Sequence, residues 1–482
     1  MIPKIIHQLW IGPKPAPTKF MDTWKDKHEE DGFEYIRWTE TEMEKRGFRS
    51  QLMDKVNSIE EINGKADIIR WEILYEYGGF FTDADSYCLE SISKLVEKYE
   101  AFAGYENEQV RCPGWCPTPE YDDVMARTHA LIATGTMAFP PKHELPRRAI
   151  EWIRNNDVST AKTDKRAWRT VGPGLLTRLY WQDKWDDITI LPSHYFLPIH
   201  FSGLKYDGPD KIYAFQEWGS TKRNYEEMNF IQIPEEYRPP DDKVSILVSS
   251  YNTLTRYVVE CLDSIKNQTG KIEKEIIWIN DGSDEMHTKI LKGLLEKFEM
   301  STKYVRVKYY ENDGNKGIGF SLKRGINLCS NEIIIKQDSD DIMMPDRIEK
   351  QYNFMKKQEQ IAICGGQVAM FRENRNEIFN TSNHSIITWE QYKKNPSHWF
   401  VNHPTVCYRK SKVIEAGNYN PDIKVMTEDF DLELRMLKKY GMIFNFKEAL
   451  IYYRIHTDQV TYNPSQEWIE RRNKMINDLI NE

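Results

Sequence analysis

A short run of aliphatic residues, 333–335, leads into Asp338 and Asp340, two aspartates with one residue between them. Such a run predicts a buried strand. Acidic side chains at the carboxyl end of a strand in an α/β sheet point into the crevice where ligands bind. Two carboxylates at this spacing suit a divalent cation and the phosphate oxygens that it carries. An earlier stretch, residues 78–85, repeats the arrangement with Asp83 and Asp85, so the chain carries two candidate metal–phosphate sites.

The spacing alone is weakly specific, because about three such pairs are expected by chance in a chain of this size and acidity. Three pairs are present, and the third consists of Asp429 and Asp431. An isolated pair is commonly a solvated turn or a helix cap. The elements around each pair must therefore identify the functional ones.

The length and charge of the chain restrict its class. A chain of 482 residues predicts two domains, and its net charge of −8 argues against a general nucleic-acid binder. A substrate that carries phosphate then needs a metal ion or local Lys and Arg side chains. No apolar run reaches the roughly 18 residues of a membrane span, and the start of the chain lacks the pattern of a signal peptide.

Cysteine usage indicates a reducing compartment. The seven cysteines are scattered, and Cys112 and Cys116 are the only close pair. No second pair or histidine cluster completes a zinc site, so we interpret these two as reduced thiols. We therefore expect a soluble, cytoplasmic protein.

In the first half, alternating strands and helices lead to the earlier acidic pair. The pattern predicts strands over 4–12 and 33–38, with a helix over 18–31 between them. A helix over 65–77 ends at two glycines, and a strand over 80–82 delivers Asp83 and Asp85. Asp67 and Arg70 share one face of that helix. They form either an intrahelical salt bridge or a site for sugar hydroxyls and diphosphate.

Residues 233–242 carry three prolines and four acids, a composition that continues neither a helix nor a central strand. We interpret this stretch as a short, semi-rigid linker. It separates a first domain, residues 1–232, from a second, residues 243–482.

The second half predicts a mostly parallel, doubly wound sheet, because strands and helices alternate and polar residues follow the strands. Three strand ends carry Tyr251 with Asn252, Asp281, and Asp338 with Asp340. Together they suit a nucleotide lying across the edge of the sheet. Residues 451–456 predict a late strand with a basic end.

The third acidic pair lies at the start of a helical pattern that runs to residue 439. Acids there are favoured by the helix dipole, which gives them a structural explanation. Alternatively, an acid opposite a metal–diphosphate can act as a general base.

The first half resembles the sugar-binding-region glycosyltransferases of family 32 and the catalytic domains of the large clostridial glucosylating toxins. The motifs are IPKIIHQLWIG at 2–12, ADIIR at 66–70, YGG at 77–79, DAD at 83–85, GTMAFPP at 135–141 and VGPGLLT at 171–177. The resemblance covers roughly residues 1–230. It implies that Trp10 stacks on the donor base and that Asp67 and Arg70 contact the donor sugar and phosphates. It further implies that Asp85 ligates the metal beside Asp83, and that the anomeric configuration is retained.

One segment departs from that family. A histidine-rich segment before Gly-Ser-Trp is usual near the end of the domain, whereas this chain has Gln216 and Trp218 in YAFQEWGS at 213–220. By the resemblance, Trp218 contacts the donor and Gln216 takes the place of a metal-side ligand. An amide is a weaker metal ligand than an imidazole, so we expect altered metal affinity. His200 is a second candidate for that place.

Residues 243–460 resemble the family 2 glycosyltransferases. The motifs are SSYN at 249–252, NDGS at 280–283, NKG at 315–317, DSDD at 338–341, NHPT at 402–405, TED at 427–429 and RIH at 454–456. The resemblance implies that Asp281 binds a uracil-type base, Asp338 contacts ribose or diphosphate, and Asp340 ligates the metal. It implies that Asp429 deprotonates the acceptor hydroxyl and that His456 assists at the metal or phosphate.

Further donor contacts follow from the same resemblance. Tyr251 and Arg454 belong to its donor-binding motifs. Many members have Ala-Arg-Asn where this chain has SLK at 321–323, which leaves phosphate neutralisation to Lys323 or Arg324. No Gln-x-x-Arg-Trp follows Asp429, so the processive polymerase branch is not indicated.

Together these observations predict an α/β protein with two Rossmann-like, GT-A-type domains in tandem, one retaining and one inverting. Each would use a Mn²⁺ or Mg²⁺ ion and a nucleotide-sugar donor, with a glycan, glycolipid or glycoprotein acceptor. A narrower interpretation keeps one active family-2-like transferase and leaves the first half as a degenerate glycan- or nucleotide-sugar-binding module. A structural protein without turnover would require both acidic sites to be idle.

Overall fold

The computed structural model describes residues 1–110, 129–159, 166–183, 185–222, 224–225, 227–231, 234–238, 240–382, 385–396, 400–423, 427–456 and 466–481. The predicted thiols Cys112 and Cys116, and linker residues 233 and 239, lie outside these ranges. The chain separates into two compact units, Met1–Arg238 and Pro239–Glu482. None of the described helices is both long and apolar enough to cross a bilayer.

The strands of the first unit are β1 Ile5–Leu9, β2 Glu34–Trp38, β3 Gly79–Thr82, β4 Ser86–Cys88, β5 Ala101–Tyr105, β6 Ile132–Phe139, β7 Ile188–Leu191 and β8 Ala214–Gln216. Its described helices are Thr18–His28, Glu40–Lys45, Met53–Ser58, Ile62–Tyr77, Ser93–Lys98, Glu144–Asn155, Ala167–Thr170, Pro173–Gln182 and Gly219–Lys222. Short 3₁₀ turns cover Ser193–Tyr195, Met228–Phe230 and Glu235–Tyr237.

The main sheet of the first unit has the order β2-β1-β3-β6-β5-β7, and β4 pairs separately with β8. β1 runs parallel to β2 and β3, and β5 runs parallel to β7. β6 is antiparallel to both of its neighbours. The strand that precedes the acidic pair, β3, therefore has a parallel neighbour on one side and a reversed neighbour on the other.

Glycines determine how the chain enters β3. The helix Ile62–Tyr77 ends where Gly78 and Gly79 take φ angles of +65° and +91°, which side chains rarely allow. A Cβ on Gly79 would lie 2.6 Å from the carbonyl oxygen of Ile5 on β1. The glycine pair thus lets the helix return directly onto the sheet. Trp71, fully buried on that helix, donates from Nε1 to the carbonyl of Val171 at 2.8 Å.

The strands of the second unit are β9 Lys243–Ser250, β10 Glu273–Asn280, β11 Val305–Glu311, β12 Ile333–Asp338, β13 Ile342–Met343, β14 Ile363–Phe371, β15 Asn380–Thr381, β16 Ile387–Thr388, β17 Cys407–Arg409 and β18 Met442–Arg454. Its described helices are Thr255–Lys266, Glu285–Met300, Ile318–Leu328, Arg347–Lys357, Trp389–Lys394, Lys410–Glu415, Glu428–Tyr440 and Gln466–Asn481, and a 3₁₀ turn covers His403–Thr405.

The main sheet of the second unit has the order β11-β10-β9-β12-β17-β14-β18-β13. The first four of these strands are parallel, as the alternating pattern predicts. β17 then runs antiparallel to both β12 and β14. The acidic strand β12 is thus flanked, like β3, by one parallel and one reversed strand. Helices cover both faces of the parallel strands, and their apolar side chains form two buried cores.

Candidate active sites

In the first unit, Asp83 accepts from two side chains that are distant in sequence. Arg70 Nη2 lies 2.5 Å from Oδ1, and Gln216 Nε2 lies 3.0 Å from Oδ2. A Cβ on Gly135, across in β6, would stand 2.3 Å from Oδ2 of Asp83. The carboxylate therefore lies in a close-fitting polar cradle, which explains why the motif at 135–141 begins with glycine.

Asp67 joins the same cradle from the helix Ile62–Tyr77. Its Oδ1 accepts from Thr134 Oγ1 at 3.0 Å and lies 3.4 Å from Arg70 Nη1. Burial raises the pKa of Asp67 to about 6, and the Arg70 charge partly offsets that rise. A Cβ on Gly172 would approach Oδ2 of Asp67 to 2.4 Å. The salt bridge within the helix thus exists, and Arg70 extends it to Asp83 at the end of β3.

Asp85 is almost fully buried, and Gly219 N donates to its Oδ2 at 2.7 Å. Burial and then the neighbouring Asp83 charge raise the pKa of Asp85 to about 7. The β4–β8 pairing places Ser86 opposite Gln216, which brings the predicted Gln216 to this pair of acids. The Gln216 amide nitrogen faces Asp83.

Two tryptophans predicted to contact the donor are anchored through their indole nitrogens. Trp10 donates to the carbonyl of Lys14 at 2.7 Å and meets Tyr225 edge to face at 5.2 Å. Burial raises the pKa of Tyr225, and the nearby charges of Asp85 and Asp83 add to that rise. Trp218 donates to the carbonyl of Ile199 at 2.8 Å and takes a φ of +61°, a strained value for a bulky residue.

Glu106 is a further acid at this edge that the sequence analysis did not identify. It follows β5 directly, and burial, with the Asp83 charge as a second cause, raises its pKa to about 7. Its position after an apolar strand is the signal that could have identified it. The candidate ligand His200 instead bonds through Nδ1 with Ser202 Oγ at 2.7 Å, as a structural histidine does.

In the second unit, the acidic loop after β12 is held by charged side chains. Asp338 forms an ion pair with Lys336, whose side chain is 3% exposed. Asp340 lies 3.0 Å from His456, measured from Oδ2 to Nε2. The predicted metal residues Asp340 and His456 are thus brought together. Lys336 was missed, although a lysine inside an otherwise apolar strand is a detectable signal.

Arg454 supports this loop from β18. Its backbone N donates to Asp341 Oδ1 at 2.9 Å, and its Nε donates to the carbonyl of Asp340 at 2.9 Å. The guanidinium lies between the rings of Tyr257 and Phe371, at 4.2 and 4.7 Å from their centroids. Arg454 is therefore already engaged in shaping the acidic loop.

Asp281, at the end of β10, organises the loop 312–317. Its buried carboxylate accepts from Asn312 Nδ2 at 2.7 Å, Lys316 N at 3.0 Å and Gly317 N at 2.9 Å. Gly282 has a φ of +74°, and a Cβ there would lie 2.4 Å from Cα of Gly314. The loop that carries Gly282 and the loop that carries Gly314 therefore pack closely together at the carboxyl end of β10.

The surroundings of the predicted donor contacts Tyr251 and Lys323 differ from those of Asp281 and Arg454. Tyr251 follows β9 and is 51% exposed, so its ring is available for stacking. Arg324 is engaged with Glu311 and Asn312. Among the described residues, no hydrogen-bonding or ion-pair partner reaches the Lys323 ammonium.

Asp429 lies in the first turn of the helix Glu428–Tyr440, where its Oδ1 accepts from the backbone N of Phe430 at 2.7 Å. Its Oδ2 lies 3.8 Å from His403 Nδ1. Burial raises the pKa of Asp429, and the Lys336 charge opposes that rise. Asp431, by contrast, pairs with Arg435 at 2.6 Å, so the third acidic pair contains one structural acid.

Within the described ranges, no three His, Cys, Asp or Glu side chains converge as a complete metal site. The donor sets are nevertheless compatible with a hard cation that also binds phosphate. Asp340 with His456 offers carboxylate and imidazole, and Asp85 beside Gln216 offers carboxylate and amide.

Comparison with known proteins agrees with these two sites. Residues 17–102 match the family model "Glycosyltransferase sugar-binding region containing DXD motif", and residues 245–416 match "Glycosyl transferase family 2". An uncharacterised glycosyltransferase of Haemophilus influenzae is 31% identical over 220 residues, which cover 45% of this chain and 78% of the relative. The O-antigen biosynthesis glycosyltransferase WbnJ of Escherichia coli is 32% identical over 219 residues, covering 45% of this chain and 80% of the relative.

Among solved structures, S. aureus TarS in complex with UDP-GlcNAc is 17% identical with a TM-score of 0.39, covering 50% of this chain and 67% of that chain. A likeness this distant carries no functional weight. The family matches, the two relatives and the two acidic sites agree. The chain belongs to the glycosyltransferases and joins a DXD-type sugar-binding region to a family 2 transferase region.

Proposed function

We propose that the chain is a bifunctional glycosyltransferase in which each unit transfers a sugar from its own nucleotide-diphosphate donor. The observation that carries this proposal is the repeated placement of an acidic pair at the end of a strand with one parallel and one reversed neighbour. Asp83 and Asp85 follow β3, while Asp338 is the last residue of β12 and Asp340 lies two residues beyond it. The proposed boundaries are a retaining domain at 1–232, a linker at 233–242 and an inverting domain at 243–482.

Each unit is proposed to bind one Mn²⁺ or Mg²⁺ ion. In the second unit Asp340 and His456 would hold it, and in the first unit Asp85 would hold it beside Asp83 and Gln216. When bound, such a cation neutralises the negative charge that develops on the leaving diphosphate. The hydrogen bond between Asp340 and His456 supports this assignment, because both side chains already face one point.

In the second unit, Asp429 is proposed to take the proton from the acceptor hydroxyl. A base needs an ionised carboxylate, and the buried ammonium of Lys336 favours that state. The deprotonated acceptor would then attack the donor in line, which inverts the anomeric carbon. Asp281 would hold the loop that faces the uracil-type base of the donor, and Tyr251 would stack on the donor from the rim. Lys323 and Asp338 would face the phosphates and the ribose.

In the first unit, the chain's own residues are proposed to orient the donor. Arg70 links Asp67 and Asp83 into one buried network, which suits sugar hydroxyls and phosphate oxygens with little reorganisation. Trp10 and Trp218 would contact the donor base. A uridine diphosphate donor is favoured in the first unit by the family resemblance at Trp10, and in the second unit by the family resemblance at Asp281.

The acceptor is proposed to be a glycan or glycoconjugate. The name of the E. coli relative, an O-antigen biosynthesis enzyme, supports a polysaccharide acceptor. Because two transferase units share one chain, we propose that one adds a sugar and the other extends it. Each unit's product should therefore be tested as an acceptor for the other.

The test measures donor hydrolysis and transfer by the full chain with Mn²⁺ and a panel of nucleotide sugars. Asp85→Asn and Asp340→Asn are compared with Asp54→Asn and Asp478→Asn, which change one exposed acid in each unit. Loss of a different donor in each site variant, with unchanged controls, supports two active sites. Loss of all turnover in Asp340→Asn, with none in Asp85→Asn, would leave the first unit as a binding module and overturn bifunctionality.

A further inference from the structure

A row of buried hydrogen-bonding groups lies behind Asp429. His403 Nδ1 is 3.8 Å from Oδ2 of Asp429, and His403 Nε2 is 2.9 Å from the hydroxyl of Tyr419. The hydroxyls of Tyr419 and Tyr408 are 3.1 Å apart, and the carboxyl of Glu433 lies beside Tyr408. His403 is 6% exposed, while Tyr408, Tyr419 and Glu433 are at most 1% exposed. Water therefore has little access to the row.

The two ends of the row lie on one helix. Asp429 and Glu433 are four residues apart in the helix Glu428–Tyr440, so they share a face. Between them the row passes through a 3₁₀ turn, the reversed strand β17 and the loop that carries Tyr419. The helix alone could not connect these two acids, so the long-range contacts determine the row.

The proton positions in the row follow from its Asp429 end. An ionised carboxylate attracts a donor, so Nδ1 of His403, the ring nitrogen that faces Asp429, carries the ring proton. A tyrosine hydroxyl has one proton to donate. Nε2 of His403 then accepts from Tyr419, and Tyr419 accepts from Tyr408.

His403 is neutral and has a single ring proton. Burial lowers its pKa well below the ordinary value, and the Lys336 charge adds to that effect. That proton lies on Nδ1 and points at Asp429, which leaves Nε2 to accept from Tyr419. The distance of 3.8 Å exceeds a hydrogen bond, and catalytic contacts of this kind commonly shorten when substrate binds.

Resting on the assignment of Asp429 as the base under the proposed function, we propose that Tyr408, Tyr419 and His403 form a one-directional row of donors that orients the Asp429 carboxylate. His403 is the positioning residue at the end of this row. The row moves no proton during turnover, and the proton taken from the acceptor stays on Asp429.

The groups around Asp429 determine the direction of the expected change. Lys336 favours the ionised carboxylate, while the neighbouring acids Asp338 and Glu428 oppose it. Loss of the Nδ1–H donor removes a second group that favours ionisation, so the pKa of Asp429 rises. Because the base works only when ionised, the acid limb of the rate profile moves to higher pH.

The test compares Tyr419→Phe and Tyr408→Phe with Tyr352→Phe in the full chain. Tyr352 is a mostly buried tyrosine of the same unit whose hydroxyl instead binds Asp242 at 3.2 Å. In the two row variants we expect kcat for transfer to fall about tenfold, with an unchanged KM for the donor. We also expect the acid limb to shift upward. Tyr352→Phe should keep the wild-type profile, and a wild-type profile in both row variants overturns the proposal.

A spectroscopic measurement tests the row independently of turnover. Nitrogen-15 shifts of the imidazoles, with His403 assigned by its absence in His403→Gln, should show the neutral tautomer that is protonated at Nδ1. A proton at Nε2 overturns the row. Asp429→Asn separates the two proposals: if it keeps wild-type turnover, Asp429 is not the base. If it is inactive while Tyr419→Phe matches the wild type, only the row is wrong.

Discussion

Asp340 and His456 are 116 residues apart in the chain, yet Nε2 of His456 lies 3.0 Å from Oδ2 of Asp340. The short strand β13 explains this proximity. It follows the acidic loop and pairs with β18, placing Ile342 opposite Tyr452, just before His456. The loop that carries the acids is therefore joined to the end of the sheet that carries the histidine.

This contact predicts the effect of removing either side chain. Asp340→Asn and His456→Gln should each lower turnover in the second unit by at least about 100-fold, because each variant weakens a metal contact. Activity measured against Mn²⁺ concentration should show a larger apparent metal requirement in His456→Gln. Chelation with EDTA should abolish wild-type activity reversibly. Unchanged metal dependence in both variants would remove these residues from the metal site.

Arg70 should contribute strongly to the stability of the first unit. It is buried between Asp67 and Asp83, so Arg70→Ala leaves the buried Asp67 and the partly buried Asp83 without their cation. We expect the free energy of unfolding to fall by about 3 kcal/mol in urea denaturation of the full chain. Arg147→Ala, which removes exposed ion pairs on a helix surface, should change it far less. Equal losses in the two variants would contradict this account.

Two glycines of the second unit should respond oppositely to alanine. Gly282→Ala forces a Cβ against Gly314 at a φ of +74° and should cost about 1–3 kcal/mol of unfolding free energy. Gly293 lies within the helix Glu285–Met300, and a Cβ added there would meet open space, with no described atom within 4 Å. Gly293→Ala should therefore gain about 0.5–1 kcal/mol. Denaturation curves of the two variants against the wild type measure both effects.

His28 should make the first unit sensitive to acid. It accepts from Ile92 N and bonds with the carbonyl of Trp24, and burial lowers its pKa to about 4. Between the ordinary pKa of about 6.5 and that value, the unfolded chain binds a proton that the folded chain does not. Stability from His28 is therefore present above that window and is lost as pH falls, by about 1.4 kcal/mol per pH unit.

The raised pKa values of Asp67 and Asp85 act in the opposite sense, because these acids are protonated first in the folded state. The difference between wild type and His28→Gln isolates the histidine. Over the window from about 6.5 to about 4, the stability of His28→Gln should fall less steeply with pH than that of the wild type. Parallel pH curves for the two proteins would show that His28 does not titrate as described.

Local patterns predicted most strands and helices, because periodicity and glycine stops act over a few residues. The predicted helix over 18–31 ends at His28, a difference of the size expected for helix ends. The mostly parallel character of both sheets was also confirmed. The positions of β6 and β17 could not be predicted, since each depends on pairing with strands far away in the chain.

The acidic strand ends, and through family resemblance Gln216 and His456 beside them, could be identified from sequence, but other contacts of these acids could not. The link from Arg70 to Asp83 and the contact between His403 and Asp429 join separate elements, and no local spacing encodes either. The roles predicted for Asp281 and Arg454 stay predictions. The structure adds that both also hold loops in place.

The reversed strands β6 and β17 have a consequence for how such a domain can diversify. On one side of β12, the chain leaves the parallel strand β9 at the end of the sheet where Asp338 lies. On the other side, the chain enters the antiparallel strand β17 at that same end. Under the proposed function, the parallel strands would hold the donor, and the segment before β17 would reach the same site separately from them. Exchanging the stretch before β17 between related chains should alter acceptor choice while leaving donor choice intact, which makes it the natural place for recombination and for engineering.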